Sequence, residues 1–229
     1  MRAVILAGGY GTRLRPYTTI IPKPLVPVGD RPILQVIIEQ LAAAGVREID
    51  LCVNYLGELI ETYFSRTDRL PADVTLRWHW EQEPRGTAGA LRCVPDLDET
   101  FIAMNGDVLT SLDYRALVEH HRGAGADLTI AMKEKEVKID LGVIEATAGV
   151  VTGYVEKPTL RYEVSMGVYV YEPHVLGALP DGPCQFPDLV QILLRKGYRI
   201  AALSSDAAWY DIGTPAEYER AMEDVATFS

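Results

Sequence analysis

Apolar positions follow two different periods along the chain. Val4, Ile5 and Leu6 make a short apolar run closed by glycine, the pattern of a buried strand. After Asp30-Arg31-Pro32, apolar residues fall at 33, 34, 36, 37, 38 and 41, a helical spacing with proline at its start and Gly45 at its end. A second strand is predicted over 49–53. Asn54-Tyr55-Leu56-Gly57 then turns into a helix carrying Glu58, Ile60 and Phe64, and a polar loop follows over 66–73. Residues 75–80 alternate as a third strand, and the turn from Glu81 leads into a short helix over 88–93. A fourth buried strand over 101–104 ends in Asn105-Gly106-Asp107, before a helix over 114–121 and a strand over 128–132.

The pattern then changes. Residues 142–145, 151–156 and 164–171 read as strands with few helices between them. Helices return over 173–179 and 187–196, with short strands over 200–203 and 209–210. Thr214-Pro215-Ala216-Glu217 opens the last helix with a threonine cap, proline in the first turn and a reciprocal glutamate. Strands alternating with helices in the first half predict an α/β fold with a mainly parallel sheet covered on both faces. Ligands of such sheets bind beyond the carboxyl ends of the strands. The glycine loop after strand one, the Glu81 loop after strand three and Asp107 after strand four all fall there.

Composition narrows the picture. The 229 residues are 48% hydrophobic and 24% charged, ordinary for a globular chain. No apolar run approaches the roughly 20 residues that span a bilayer. The start shows no basic stretch followed by an apolar one, so neither a leader nor a membrane partner is expected. Cys52, Cys93 and Cys184 are odd in number and widely spaced, which fits a reducing compartment, and we expect a cytoplasmic protein. The net charge of −10 argues against a nucleic-acid partner. Residues 1–31 hold five cations and one acid, a local +4 that leaves −14 elsewhere. One basic loop on an acidic chain points to a small anionic ligand.

That loop reads G-G-Y-G-T-R-L-R-P, then P-K-P-L-V-P. Gly8, Gly9 and Gly11 let the backbone turn and approach a ligand, and bare N–H groups in such a turn suit phosphate oxygens. Arg13, Arg15 and Lys23 add charge. A dinucleotide fingerprint would need glycine where Leu14 stands, and the Gly-Lys-Ser/Thr of a P-loop is absent. Together with E-P-R-G-T-A-G, N-G-D, V-E-K-P, S-M-G-V-Y and W-Y-D-I-G-T-P in this order, the chain resembles the sugar-1-phosphate nucleotidyltransferases over nearly its whole length. Among them it looks most like mannose- and heptose-1-phosphate guanylyltransferases. Arg85 departs from the leucine common there, and the uridylyl-, thymidylyl- and cytidylyltransferases stay open.

The resemblance implies a Rossmann-like mixed sheet, GT-A-like, in one domain over 1–229. Its nucleotide-binding half would be 1–125. Residues 126–229 would form a small β-rich sugar-binding part and the last helix, with no further domain following. It implies transfer of a nucleoside monophosphate from an NTP, expected to be GTP, to a sugar 1-phosphate, releasing pyrophosphate. Arg13 would grip the triphosphate tail and Lys23 the α-phosphate. Leu6, Ala7, Gly8, Gly9, Gly11, Thr12, Glu83, Gly86, Thr87 and Asp107 would complete the nucleotide site, with Glu83 accepting from guanine N–H groups. Asn105, Gly142, Glu156, Lys157 and Gly167 would hold the sugar phosphate. Asp107 and Asp211 would bind Mg²⁺. A homodimer is left open. The chemistry agrees: the attacking phosphate oxygen is already anionic, so positioning, cations and metal carry the reaction. A GT-A glycosyltransferase shares such a sheet but has no triphosphate tail to grip. A non-catalytic nucleotide-sugar sensor would not need Arg13, Lys23, Asp107 and Asp211 together.

Trp78-His79-Trp80 reads as strand packing. His120-His121 reads as solvated or dipole-facing, and the cysteines as small buried apolars.

Overall fold

The computed structural model describes residues 1–67 and 69–228. Asp68, inside the polar loop expected over 66–73, and Ser229 lie outside the described residues. The strands are β1 (Arg2–Leu6), β2 (Pro27–Val28), β3 (Arg31–Pro32), β4 (Glu48–Val53), β5 (Thr75–Trp80), β6 (Phe101–Asn105), β7 (Val108–Thr110), β8 (Leu128–Lys138), β9 (Gly142–Thr147), β10 (Val150–Glu156), β11 (Thr159–Tyr171), β12 (Ile200–Ser204) and β13 (Trp209–Asp211). The α-helices are α1 (Ile33–Ala43), α2 (Gly57–Arg66), α3 (Gly86–Gly89), α4 (Tyr114–Ala124), α5 (Phe186–Arg195) and α6 (Pro215–Glu223).

Seven strands form one sheet in the order β12-β8-β11-β6-β1-β4-β5. Only β11 runs against the rest, pairing antiparallel with β6 and β8. The chain leaves β1 for β4 and β5 on one side, then returns through β6 on the other. The crevice at the carboxyl end of β1 is therefore the topological switch point, where open α/β sheets bind ligands.

Side chains of a strand alternate between faces, and here each face has its own buried cluster. Ala3 and Ile5 join α1, whose Ile33, Leu34, Val36, Ile37, Ile38 and Leu41 are all buried. Val4 and Cys52 face the second cluster with Leu91, Phe101, Tyr171 and Leu189. Helix α1 ends at Gly45 in the left-handed region (φ 95°), and Asp113 caps α4 by accepting from the backbone N–H groups of Arg115 and Ala116 at 2.9 and 3.1 Å.

The structure corrects three expectations. Strands β8 and β11 run on to Lys138 and back from Thr159, well past the predicted ends. Beyond residue 132 neither face is buried, so the sequence carries no apolar alternation to mark the extension. His121 is buried, not solvated: Nδ1 lies 2.8 Å from Thr129 Oγ1 and Nε2 3.1 Å from Glu172 Oε1. Thr214 does cap α6, but Glu217 Oε2 accepts from the Gly213 N–H and the Thr214 hydroxyl, each at 3.2 Å, instead of the Thr214 N–H. Among the described residues no helix is long and apolar enough to cross a membrane.

Candidate active site

Beyond Leu6 the chain passes through Ala7 and the three glycines into a short 3-10 helix over Thr12–Leu14. Gly11 is left-handed (φ 59°), and a Cβ there would meet Thr18 Cγ2 at 3.0 Å and Lys23 Cβ at 3.3 Å. Glycine is thus required for the loop to fold back on residues 18–23. The Thr18 hydroxyl fixes the fold by donating to the Gly11 carbonyl at 2.7 Å, and buried Leu14 anchors it below. Thr12 and Arg13 stay exposed. The Arg13 guanidinium lies across Gly213, where a Cβ would stand 3.0 Å from Nη2.

Two carboxylates meet beside this loop. Asp107 follows β6 through Gly106, whose N–H donates to the Leu6 carbonyl at 2.9 Å. Asp211 is carried in by the β7–β13 ladder, opposite Val108, and the Ile212 N–H donates to the Asp107 carbonyl at 3.1 Å. Burial and the Asp107 charge push the Asp211 carboxyl up; Lys23 and Arg13 pull it down, and Glu217 adds to the rise. Lys23 is itself buried and its Nζ pairs with Asp107 Oδ2. Among the described residues no group of three or more metal-ligating side chains occurs. Two half-buried carboxylates at one sheet edge nonetheless fit Mg²⁺, which takes one or two protein carboxylates and fills its shell with water and substrate phosphate.

A pocket of about 200 Å³ opens at the ends of β1, β4 and β5. Of the expected nucleotide residues, Leu6, Gly8, Gly9, Gly86 and Thr87 line it. Glu83 does not: it is exposed, two positions further along the loop, whereas Glu81 is in the lining. Glu81 directly follows β5, and that position at the sheet edge was the signal in the sequence. Its Oε2 accepts from the Arg85 N–H at 3.1 Å, and Asn54 Nδ2 holds its carbonyl at 2.7 Å. Burial pushes the Glu81 carboxyl up, against the hydrogen bond and charge of Arg85. A Cβ on Gly8 would come within 2.9 Å of Glu81 Oε1, so Gly8 makes room for that carboxylate. Sequence reasoning also missed Tyr10, Asn54 and Gln185.

Gln185 comes from the second half of the chain, where the preceding Cys184 latches onto the 85–89 loop. The Cys184 carbonyl accepts from the N–H groups of Ala88 and Gly89, both at 3.0 Å, and its own N–H donates to the Arg85 carbonyl at 2.8 Å. Gly86 (φ 77°) sits under this latch, and a Cβ would lie 2.5 Å from the Cys184 oxygen.

A second pocket of about 270 Å³ adjoins the first and shares Thr87 with it. Asn105, Gly167 and Asp211 line it, as do Ser165, Phe186 and Trp209. Gly167 (φ 75°) packs against the Asn105 amide, 2.8 Å from where its Cβ would be. Trp209 Nε1 donates to the Met166 carbonyl at 2.9 Å. Gly142, Glu156 and Lys157 are not among this lining. They lie on the β9–β10 hairpin, where the Tyr154 hydroxyl donates to Glu156 Oε2 at 2.8 Å and leaves no room for a side chain at Gly142.

The family described as nucleotidyl transferase matches residues 2–227. Mannose-1-phosphate guanyltransferase beta-B of Xenopus laevis is 32% identical over 230 residues, covering 97% of this chain and 64% of the relative. A UTP–glucose-1-phosphate uridylyltransferase of Synechocystis is 32% identical over 246 residues, covering 98% of this chain and 63% of the relative. The chain therefore spans just under two thirds of the length of these relatives. The crystal structure of HddC from Yersinia pseudotuberculosis superimposes with a TM-score of 0.78 at 28% identity, covering 98% of this chain and 99% of that one. Its complex with GMP-PN gives 0.75 at 27%, with the same coverage.

Proposed function

The chain belongs to the nucleotidyl transferase family, and from that premise we propose that it transfers a guanylyl group from GTP to a hexose or heptose 1-phosphate of the mannose type. The observation that carries this reading is Glu81, a carboxylate in the nucleotide pocket beside the triphosphate loop. Guanine offers two N–H donors on one edge, N1–H and N2–H, and a carboxylate accepts both. The likeness to the HddC complex with GMP-PN supports the same base.

In this reading the sugar-phosphate oxygen attacks the α-phosphorus, the bond to the β-phosphate oxygen breaks, and pyrophosphate leaves with the electron pair. No proton needs to move in that step. Arg13 binds the triphosphate tail as a planar fork, and the N–H groups of the glycine loop hold its oxygens. Lys23 neutralises the α-phosphate. Thr12 and Ala7 complete the loop. Asn105 and Gly167 line the sugar pocket, and Glu156 and Lys157 approach the sugar hydroxyls and phosphate from the hairpin. Mg²⁺ held by Asp107 and Asp211 would neutralise charge on the phosphates as the bond breaks. Residues 1–125 thus act mainly on the nucleotide and 126–229 on the sugar, with Gln185 crossing between them. The free thiols of Cys52, Cys93 and Cys184 support a cytoplasmic location.

The test is pyrophosphate release by the purified protein with Mg²⁺, GTP and mannose or heptose 1-phosphate. No release with any common NTP across a panel of sugar phosphates would overturn the enzymatic reading. A thermal-shift panel of GTP, CTP, UTP, dTTP and ATP reads the base: ligand at 100 times its dissociation constant stabilises by about 2.7 kcal/mol. A uridylyltransferase is the second reading, supported by the Synechocystis relative at equal identity. A shift with UTP and none with GTP would select it.

A further inference from the structure

Thr87 is shared by the two pockets, and Gln185 holds it there from 98 positions further along the chain. The Thr87 N–H and its hydroxyl each lie 3.3 Å from Gln185 Oε1. A backbone N–H can only donate, so the carboxamide oxygen must be the atom that faces Thr87. The orientation of the other end follows. Nε2 lies alongside Gly86, 3.1 Å from where a Cβ would stand, and Gln185 is part of the lining of the nucleotide pocket. The N-cap position adds a second constraint, since the Gln185 N–H donates to Asp188 Oδ2 at 3.3 Å and fixes the backbone from which the side chain extends. The carboxamide is therefore oriented before any ligand arrives, with Oε1 held toward Thr87 and its two donor hydrogens on the opposite side of the amide.

The same pocket carries the Glu81 carboxylate, an acceptor. We propose that Gln185 Nε2 is the donor that reads the carbonyl edge of the base, so that Glu81 and Gln185 together present an acceptor and a donor to a keto base. The proposal rests on the guanylyl reading above and deepens it. Guanine meets both groups, with its N–H donors toward the carboxylate and O6 toward the amide. Adenine has an amino group where guanine has O6 and no proton on N1, so it meets neither. Gln185 is a specificity residue in this account, and it lies outside the triphosphate and metal machinery.

The experiment compares GTP, ITP and ATP, by direct titration and by KM and kcat, in the wild type, Q185E and Q185M. The carboxylate introduced by Q185E still offers an oxygen to Thr87 but replaces the donor with an acceptor. The affinity for GTP should fall by about tenfold or more, the scale of one base-edge hydrogen bond. ITP shares the 6-oxo group, so its affinity should fall by the same factor and leave the GTP/ITP ratio unchanged. ATP should not weaken, and discrimination between GTP and ATP should shrink accordingly. Q185M, which removes the donor without adding charge, should lose the same discrimination, with its thermal midpoint certifying the fold. Equal losses for GTP and ATP, or no loss for GTP, would overturn the proposal and leave Gln185 as a latch for Thr87. If the wild type takes UTP and not GTP, the guanylyl reading falls, and UTP against CTP, which differ in the same way at position 4, judges Gln185. Unchanged discrimination between those two in Q185E would overturn it.

Discussion

The carboxyl edge of the sheet and the β9–β10 hairpin both carry residues of the proposed site, and they are built in opposite ways. At the sheet edge, Ala3, Val4 and Ile5 of β1 are fully buried between β4 and β6, and Asp107 is tied to buried Lys23. On the hairpin, Ile144, Val150, Val151 and Tyr154 are each about 60% exposed or more, and the two strands form a sheet of their own. A two-stranded ribbon is only marginally stable in water. The ion pairs of Arg161 with Glu134 and Glu136 at the base of the arm join exposed groups, which contribute little. Lys23 and Asp107, proposed to act at the α-phosphate and its metal, thus stand on elements that cannot shift without loss of packing. Glu156 and Lys157, proposed to reach the sugar phosphate, stand where small free energies suffice to move them. Chemistry that is common to a family and selectivity that varies within it would be divided between the two regions in this way.

The largest test of that division is at the edge. Asp107→Asn should lower turnover by roughly 10²–10³-fold, measured by pyrophosphate release, as expected for weakening the hold on the Mg²⁺ proposed to neutralise charge on the phosphates. Turnover within a few-fold of the wild type would remove Asp107 from the chemistry. Gly86→Ala should come next. Its Cβ would be driven against the Cys184 carbonyl in a left-handed backbone, costing about 1–3 kcal/mol in a denaturant melt. The GTP-induced thermal shift should vanish with it.

On the arm the pattern should reverse. Lys157→Ala should raise KM for the sugar phosphate about tenfold, the scale of one charge-assisted hydrogen bond, while the thermal midpoint stays put. A fall in kcat with KM unchanged would instead place Lys157 with the sheet-edge chemistry. Acid pH probes the edge once more. Burial makes the Glu81 carboxyl take its proton at a higher pH than an ordinary glutamate. Guanine N–H groups need the ionised form, so GTP affinity should fall as pH drops through that window, and E81Q should flatten the profile. The smallest effect is expected for Val151→Ser at the exposed face of the hairpin, within about 0.5 kcal/mol of stability. A larger loss would mean that the face is covered in solution.

Much of this was legible in the residue order. The inner strands β1, β4 and β6 read directly, because buried strands are continuous apolar runs bounded by turn residues. The extended β8–β11 ribbon did not, because with both faces in solvent no periodic burial imprints on Lys133 to Lys138. His121 looked like a surface residue next to His120, yet the helix face it occupies turns it onto Thr129 and Glu172.

The sequence by itself determined the glycine loop proposed to hold the triphosphate. Between Gly8 and Lys23, glycine dihedrals, two prolines and nearby cations set the turn from within one short segment. Only the tertiary structure placed Glu81, and not Glu83, in the lining of the pocket proposed for the base, with Gln185 in the same lining. Those placements depend on where a strand stops and on a latch between segments almost a hundred positions apart. Hydrogen-bond partners at that separation are chosen by the packing of the whole sheet, and no local pattern of residues encodes them.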